Sequence, residues 1–207
     1  MTENELHEYV AEIEGHGSQV TGVVGYFYEM YRREVIGRVS SVANRDILEV
    51  GCGEGMMFDG TPINPVQMDV SMRRVKFARD KGQPAICGDG YQIPFTNGSF
   101  SIVLLIAMLE HTSEPWRVLA EARRVLKTGG RTIIVVPNDI TMSAGRLVLG
   151  KFPIRYPDHL TYTTPRRMHR WLSQAGFRVA EEFSLPFRPL PYAANLYYFM
   201  VAEAADR

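Results

Sequence analysis

Ile47-Leu48-Glu49-Val50-Gly51-Cys52-Gly53-Glu54-Gly55 is a short apolar run closed by three alternate glycines. Asp46 to Val50 reads as a buried parallel strand, since such strands are covered on both faces and run into tight turns. Glycines at 51, 53 and 55 let the backbone turn sharply and let a ligand approach it with no Cβ in the way. In an open α/β sheet that ligand belongs at the carboxyl end of the strand.

Downstream, Met56-Met57-Phe58-Asp59 runs into Gly60, Pro62 and Pro65, which leaves room for about one helical turn. Val66 to Val70 reads as a second strand ending on Asp69. Ser71 caps a helix running to Lys81, stopped by Gly82, and Pro84 to Cys87 is a third strand beside Asp89. Ser101 to Ile106 is almost wholly apolar and belongs at the sheet centre. Pro115 opens a helix whose core face is Val118, Leu119, Ala122, Val125 and Leu126; Thr128-Gly129-Gly130 ends it before a fifth strand, Arg131 to Val136. From Pro137 to Thr164 the pattern is irregular, with a short helix around Ala144 to Leu149 and a polar-aromatic stretch from Tyr156 to Tyr162. Thr164-Pro165 opens another helix, closed by Gly176; strands at Phe177 to Phe183 and Leu196 to Ala202 flank the turn Pro186 to Pro191. Upstream, Leu6, Tyr9, Val10 and Ile13, then Val20, Val23, Val24, Phe27, Tyr28, Tyr31 and Val35, fall at helical spacing on either side of Gly15-His16-Gly17. The expected fold is α/β and Rossmann-like, a mainly parallel seven-stranded sheet with one antiparallel edge strand and helices on both faces.

The 207 residues suit one domain, enough to bury roughly 70% of the unfolded chain's surface. It divides into amino-terminal helices (1–45), a ligand-binding core (46–137), an irregular substrate-side segment (138–164) and a closing helix and strands (165–207). Lys plus Arg and Asp plus Glu both count 23, so no global field draws nucleic acid or an anionic membrane. Cys52 and Cys87 both fall in stretches that read as buried, which argues against a disulfide framework and for a reducing, cytoplasmic setting. The amino terminus lacks the apolar run of a signal peptide, and the longest apolar stretch, Ile102 to Leu109, is far short of the ~20 residues that span a bilayer.

Three signals fall at strand ends in order: the glycine loop, Asp69 and Asp89. Together they outline an adenosine site, Asp69 accepting ribose hydroxyl protons. A nicotinamide dinucleotide fits less well, because G-x-G-x-x-G needs glycine where Met56 stands and the pyrophosphate needs a proper helix N-terminus. A cofactor without phosphate, a sulfonium, suits the short segment after Gly55.

Residues 47 to 55 resemble the first motif of the class I S-adenosylmethionine-dependent methyltransferases, in the small-molecule branch similar to ubiquinone and menaquinone methyltransferases. Asp69-Val70-Ser71 resembles that family's ribose-binding acidic end. Gly88-Asp89-Gly90-Tyr91-Gln92-Ile93-Pro94-Phe95, followed by Ser99-Phe100-Ser101, resembles its adenine loop. Leu109-Glu110-His111, Arg124 to Gly130 and Gln174-Ala175-Gly176-Phe177 also fit. By that resemblance Gly51, Cys52 and Gly53 border the methionine part of S-adenosylmethionine, and Glu49 orients its amino end. Asp69 and Val70 take the ribose, Asp89, Gly90 and Tyr91 the adenine, and Ala107 and Met108 close the pocket. The family usually has a full helix after the first motif; this chain departs from that.

Cys52 reads as a small packing residue with no base nearby. His111 follows the central strand, where an imidazole can take a proton from an acceptor, or simply cap a helix. His159, beside Tyr156, Asp158 and Tyr162, is a second catalytic candidate in the irregular segment. The arginine pairs 32–33, 73–74, 123–124 and 166–167 read as solvated helix surface, and no metal-ligand spacing is assigned. The function expected is in-line methyl transfer to a small, apolar or aromatic acceptor, with no nucleic-acid partner. The alternatives are a non-catalytic S-adenosylmethionine-binding protein and a nicotinamide oxidoreductase.

Overall fold

The computed structural model of the chain describes residues 22–148, 150, 156, 158–188 and 190–205. The helix expected over Leu6 to Ile13 and the first turn of the next one lie outside them. The described chain begins with α1 (Gly22–Val39), followed by β1 (Ile47–Val50), β2 (Val66–Asp69), α2 (Met72–Asp80), β3 (Ala85–Cys87) and β4 (Phe100–Ile106). Then come α3 (Pro115–Val125), β5 (Leu126–Pro137), α4 (Asp139–Val148), α5 (Pro165–Gln174), β6 (Phe177–Leu185) and β7 (Tyr197–Ala204).

The seven strands form one sheet in the order β3-β2-β1-β4-β5-β7-β6. The order reverses between β1 and β4, so the crevice for a ligand opens beyond their carboxyl ends. The single antiparallel strand is β7, which pairs with β5 on one side and β6 on the other, one place in from the margin. The reason is in the side chains. In β7, Tyr198 to Ala202 are buried throughout, whereas β6 exposes Arg178, Glu181 and Glu182 and so makes a tolerable edge.

The period-two alternation of the strands sends their side chains to two cores. Leu48, Val50, Val103, Leu105 and Ile134 pack with Val118 and Leu119 of α3 and Met168 and Leu172 of α5. Ile47, Ile102, Leu104 and Ile133 on the other face pack with Tyr31, Val35 and Val39 of α1. The segment after the glycine loop forms no helix: residues 51 to 65 are turns, and Met57, Phe58 and Ile63 fill that face beside α1. Met56 to Asp59 make a single turn, Asp59 N donating to Met56 O at 3.3 Å, and clustered glycine and proline at 60, 62 and 65 keep it from lengthening into a helix.

Three further readings change. The helix expected around Ala144 to Leu149 begins at Asp139, because Asn138 initiates it: its Oδ1 accepts from Thr141 N at 3.2 Å and its carbonyl from Met142 N at 2.9 Å. Cys87 is exposed, since β3 is the sheet edge. Two of the arginine pairs are not simply solvated. Arg32 donates to Met57 O at 2.8 Å, and Arg124 donates to Ile93 O at 2.8 Å and Phe95 O at 2.7 Å, so these guanidinium groups fasten loops that have no regular structure of their own.

Candidate active site

The glycine loop is fastened to the neighbouring strand at several points. Gly51 N and Cys52 N both donate to Met68 O, at 2.7 and 3.0 Å. Gly53 N donates to Asp69 Oδ2 at 2.8 Å, while Ser71 N donates to Asp69 Oδ1 at 2.9 Å. Gly51 has φ +77°, and a Cβ built on it would lie 2.7 Å from Met108 Cβ, so both dihedral and space require glycine here. Gln83 Nε2 donates to Gly55 O at 2.8 Å and Lys81 Nζ to Glu54 O at 3.1 Å, which anchors the far side of the loop to the end of α2. Cys52 is buried, and burial pushes its thiol well above the ordinary range, which suits a packing role.

Glu49 lies at the floor of the crevice. It shares the α1-facing side of β1 with Ile47, is only 3% exposed, and its Oε2 has no hydrogen-bond partner among the described residues. Burial first, and the charge of Asp69 second, push its carboxyl up to about 8. Its register neighbour on β2, Gln67, is fully buried with an unpartnered amide. An unmatched buried carboxylate is costly unless a cation or donor reaches it.

The third wall follows β3. Tyr91 N donates to Asp89 Oδ1 at 2.8 Å, and the Tyr91 hydroxyl accepts from Ser113 N at 3.0 Å and Glu114 N at 3.1 Å. Arg124 clamps the same loop further on. Ala107, immediately after β4, has φ +48°, the only positive φ of a non-glycine residue among those described. Its N–H bonds to Val135 O at 2.8 Å, so the sheet holds the strained residue in place at the mouth of the crevice.

These walls enclose a cavity of about 260 Å³. Every residue assigned to the cofactor from the sequence, Glu49, Gly51, Cys52, Gly53, Asp69, Val70, Asp89, Gly90, Tyr91, Ala107 and Met108, lines it, and so does His111. His159 does not. It is 9% exposed, stacks on Tyr156 with ring centroids 4.9 Å apart, bonds through Nδ1 to Asp139 Oδ1, and meets the edge of His111 at 5.1 Å. Burial lowers its pKa, but the Asp139 bond and the charges of Glu110 and Asp139 outweigh this and raise it overall. His111 Nδ1 lies 3.0 Å from Asp158 O.

Sequence reasoning missed four groups. Tyr28 and Tyr31, for which helix core was preferred over an acceptor pocket, line the cavity from α1, which packs beside Met57 and Phe58. Glu110 and Asp139 are buried at 2% and 3% exposure beside His159. Each follows a strand at its carboxyl end, a positional signal that was available but not distinctive.

Residues 48–134 match the model of the methyltransferase domain, over the strand ends just described. Over that stretch, less than half of its length, the chain is similar to the S-adenosylmethionine-dependent methyltransferases. An uncharacterised protein of Methanocaldococcus jannaschii is 36% identical over 93 residues, covering 44% of this chain and 40% of that one. The ubiquinone biosynthesis O-methyltransferase of Dechloromonas aromatica is 25% identical, covering 77% of this chain and 75% of its own. The solved S-adenosylmethionine-dependent methyltransferase of Thermotoga maritima superposes with a TM-score of 0.72 at 18% identity, covering 96% and 99% of the two chains, which shows a shared fold. The chain spans about half the length of several curated relatives, from 40% to 64%.

The cofactor of that family is S-adenosylmethionine, and the residues lining this cavity fit it. The unmatched Glu49 carboxylate suits an ammonium group, the glycine loop offers a backbone cradle, and Asp69 keeps further acceptor capacity beyond its two backbone bonds. A dinucleotide fits poorly, since no helix N-terminus follows β1 to receive a pyrophosphate. Among the described residues no helix is long and apolar enough to cross a membrane.

Proposed function

We propose that this chain transfers the methyl group of S-adenosylmethionine to a small-molecule acceptor within one domain. The observation that carries the reading is the cavity at the β1/β4 reversal, with the unmatched Glu49 carboxylate on its floor and Asp69 and Asp89 along its walls. Glu49 would hold the amino end, the loop from Gly51 to Gly53 the methionine part, Asp69 and Val70 the ribose, and Asp89, Gly90 and Tyr91 the adenine. Bound there, S-adenosylmethionine supplies an electrophilic methyl carbon for in-line displacement by the acceptor's nucleophile.

The chain's own contribution is to position the reactants and exclude water. Ala107 and Met108 close the pocket from β4. Tyr28, Tyr31, His111 and Thr112 border the same cavity and form the acceptor side, His111 touching the acceptor and His159 positioning it from behind. Aromatic rings on that side favour an apolar or aromatic acceptor, and the likeness to a ubiquinone O-methyltransferase supports the same class.

Calorimetric titration with S-adenosylmethionine, S-adenosylhomocysteine and NAD, followed by an acceptor screen led by catechols and quinols, tests the proposal. Binding of the first two and turnover of one acceptor is the expected result. NAD binding alone would overturn it, and cofactor binding without turnover across acceptors would leave a binding protein.

A further inference from the structure

Behind the acceptor wall, three polar side chains converge from distant parts of the sequence. Glu110 and His111 occupy the turn after β4, and His159 lies on the segment leading to α5. One ligand-type atom from each lies within 4.8 Å of the other two. We propose that Glu110, His111 and His159 bind a divalent first-row transition ion, with Zn²⁺ as its representative. This goes beyond the methyl-transfer reading and stands without it.

The donor set points to such an ion. Two imidazoles and one carboxylate suit zinc and its neighbours, whereas Mg²⁺ and Ca²⁺ prefer all-oxygen surroundings. Ligands of tetrahedral zinc at ~2.1 Å stand roughly 3.4 Å apart, so small side-chain rotations close the present spacing.

The surroundings are those of held ligands. His159 Nδ1–H donates to the Asp139 carboxylate, and His111 Nδ1–H donates to the Asp158 carbonyl at 3.0 Å, which places the ligating lone pair of each ring on Nε2. A carboxylate or carbonyl behind each imidazole is the arrangement that orients a metal-binding histidine. The third ligand supplies an independent observation. Glu110 is 2% exposed, and its Oε2 has no hydrogen-bond partner among the described residues. Asp139 Oδ2 is likewise buried and unpartnered. His159 stands beside both carboxylates and bonds Asp139 Oδ1, yet the second oxygen of each is left without a hydrogen-bond partner among the described residues.

The backbone keeps the ligand-bearing segments together. Thr161 N donates to Glu110 O at 3.0 Å and Thr161 Oγ1 to Thr112 O at 2.7 Å, so an ion would reinforce an existing junction between the segment around His159 and the central strand. Because His111 lines the cavity, the ion would lie at its acceptor side.

Calorimetric titration of the chelator-stripped full chain with ZnCl₂, in the absence of cofactor, is the test. The expected result is one ion per chain with a Kd of micromolar or below, undisturbed by a hundredfold excess of MgCl₂. Glu110→Gln and His159→Ala should each weaken it at least tenfold. His169→Ala, at a surface histidine paired with Glu182, should not. Asp139→Asn keeps all three ligands and should weaken binding 10- to 100-fold, which preserves the test if His159→Ala fails to fold. Co²⁺ loading should add the visible absorption of a four- or five-coordinate site. Zinc binding that is absent, or unchanged in Glu110→Gln and Asp139→Asn, would overturn the proposal, as would a Co²⁺ form without that absorption or displacement by Mg²⁺. S-adenosylhomocysteine titration of the same samples reports separately on the cofactor site.

Discussion

The backbone N–H of Gly53 donates to Asp69 Oδ2 at 2.8 Å, joining the loop after β1 to the carboxylate that ends β2. Two motifs that lie 16 residues apart in sequence therefore form one unit: the side chain proposed to receive ribose also shapes the loop proposed to receive methionine.

Removing that carboxylate should affect both. In Asp69→Ala the bonds from Gly53 N and Ser71 N are lost, and two backbone donors lose their partner, at about 1–3 kcal/mol in stability. S-adenosylhomocysteine affinity should fall at least tenfold, measured by calorimetry beside a thermal melt. Unchanged affinity would remove Asp69 from the cofactor site.

Gly51 and Gly60 separate dihedral strain from steric conflict. Both have positive φ, +77° and +69°, but only Gly51 faces Met108 at 2.7 Å; nothing lies within 4 Å of a Cβ at Gly60. Gly60→Ala should cost about 1 kcal/mol, with cofactor binding retained. Gly51→Ala should cost more and abolish binding. Equal effects in chemical denaturation and calorimetry would show that the Met108 contact does not matter.

Glu49 gives stability a pH dependence of definite sign. Its carboxyl is raised from 4.5 to about 8 in the folded chain, so between those values the folded state holds a proton that the unfolded state has released. Stability therefore falls as pH rises through that window, by about 1.4 kcal/mol per unit at most, and levels off above it. Glu49→Gln should remove this contribution. The difference between wild type and variant in urea unfolding, at pH 5.5 and 8, measures it; a difference that does not change with pH would refute the assignment.

Arg124 holds the adenine-side loop through Ile93 O and Phe95 O while pairing with Glu121. Arg124→Ala should lower stability by about 1.5–3 kcal/mol and weaken nucleoside binding several-fold, with added adenosine as the probe. A stability loss with adenosine affinity intact would limit the residue to a structural role.

His111→Ala should leave S-adenosylhomocysteine affinity within threefold and reduce turnover of the identified acceptor by about 100-fold or more. Turnover at the wild-type rate would place the acceptor elsewhere.

Much of this was legible in the chain itself, because the deciding features are local. An apolar run closed by Gly51, Gly53 and Gly55 must end a covered strand. Pro115 and Thr164-Pro165 set helix starts where the structure has them, and Asp69 and Asp89 mark strand ends by position alone. The clustered glycine and proline after Met56 likewise revealed that the usual helix is missing. What the sequence could not state is what covers the sheet face beside that loop, because burial is a relation between distant segments. Only in the fold does α1 cover that face and bring Tyr28 and Tyr31 to the cavity. Only there does Arg124 reach back to a loop 29 residues earlier, where an arginine pair on a helix had read as surface. The same holds for Glu110, His111, Asp139 and His159. Glu110 and His111 lie in a stretch that fits the family, but no spacing ties them to Asp139 and His159; the four meet because β4 and β5 are neighbours whose carboxyl ends leave the sheet side by side, with the segment around His159 folded across both.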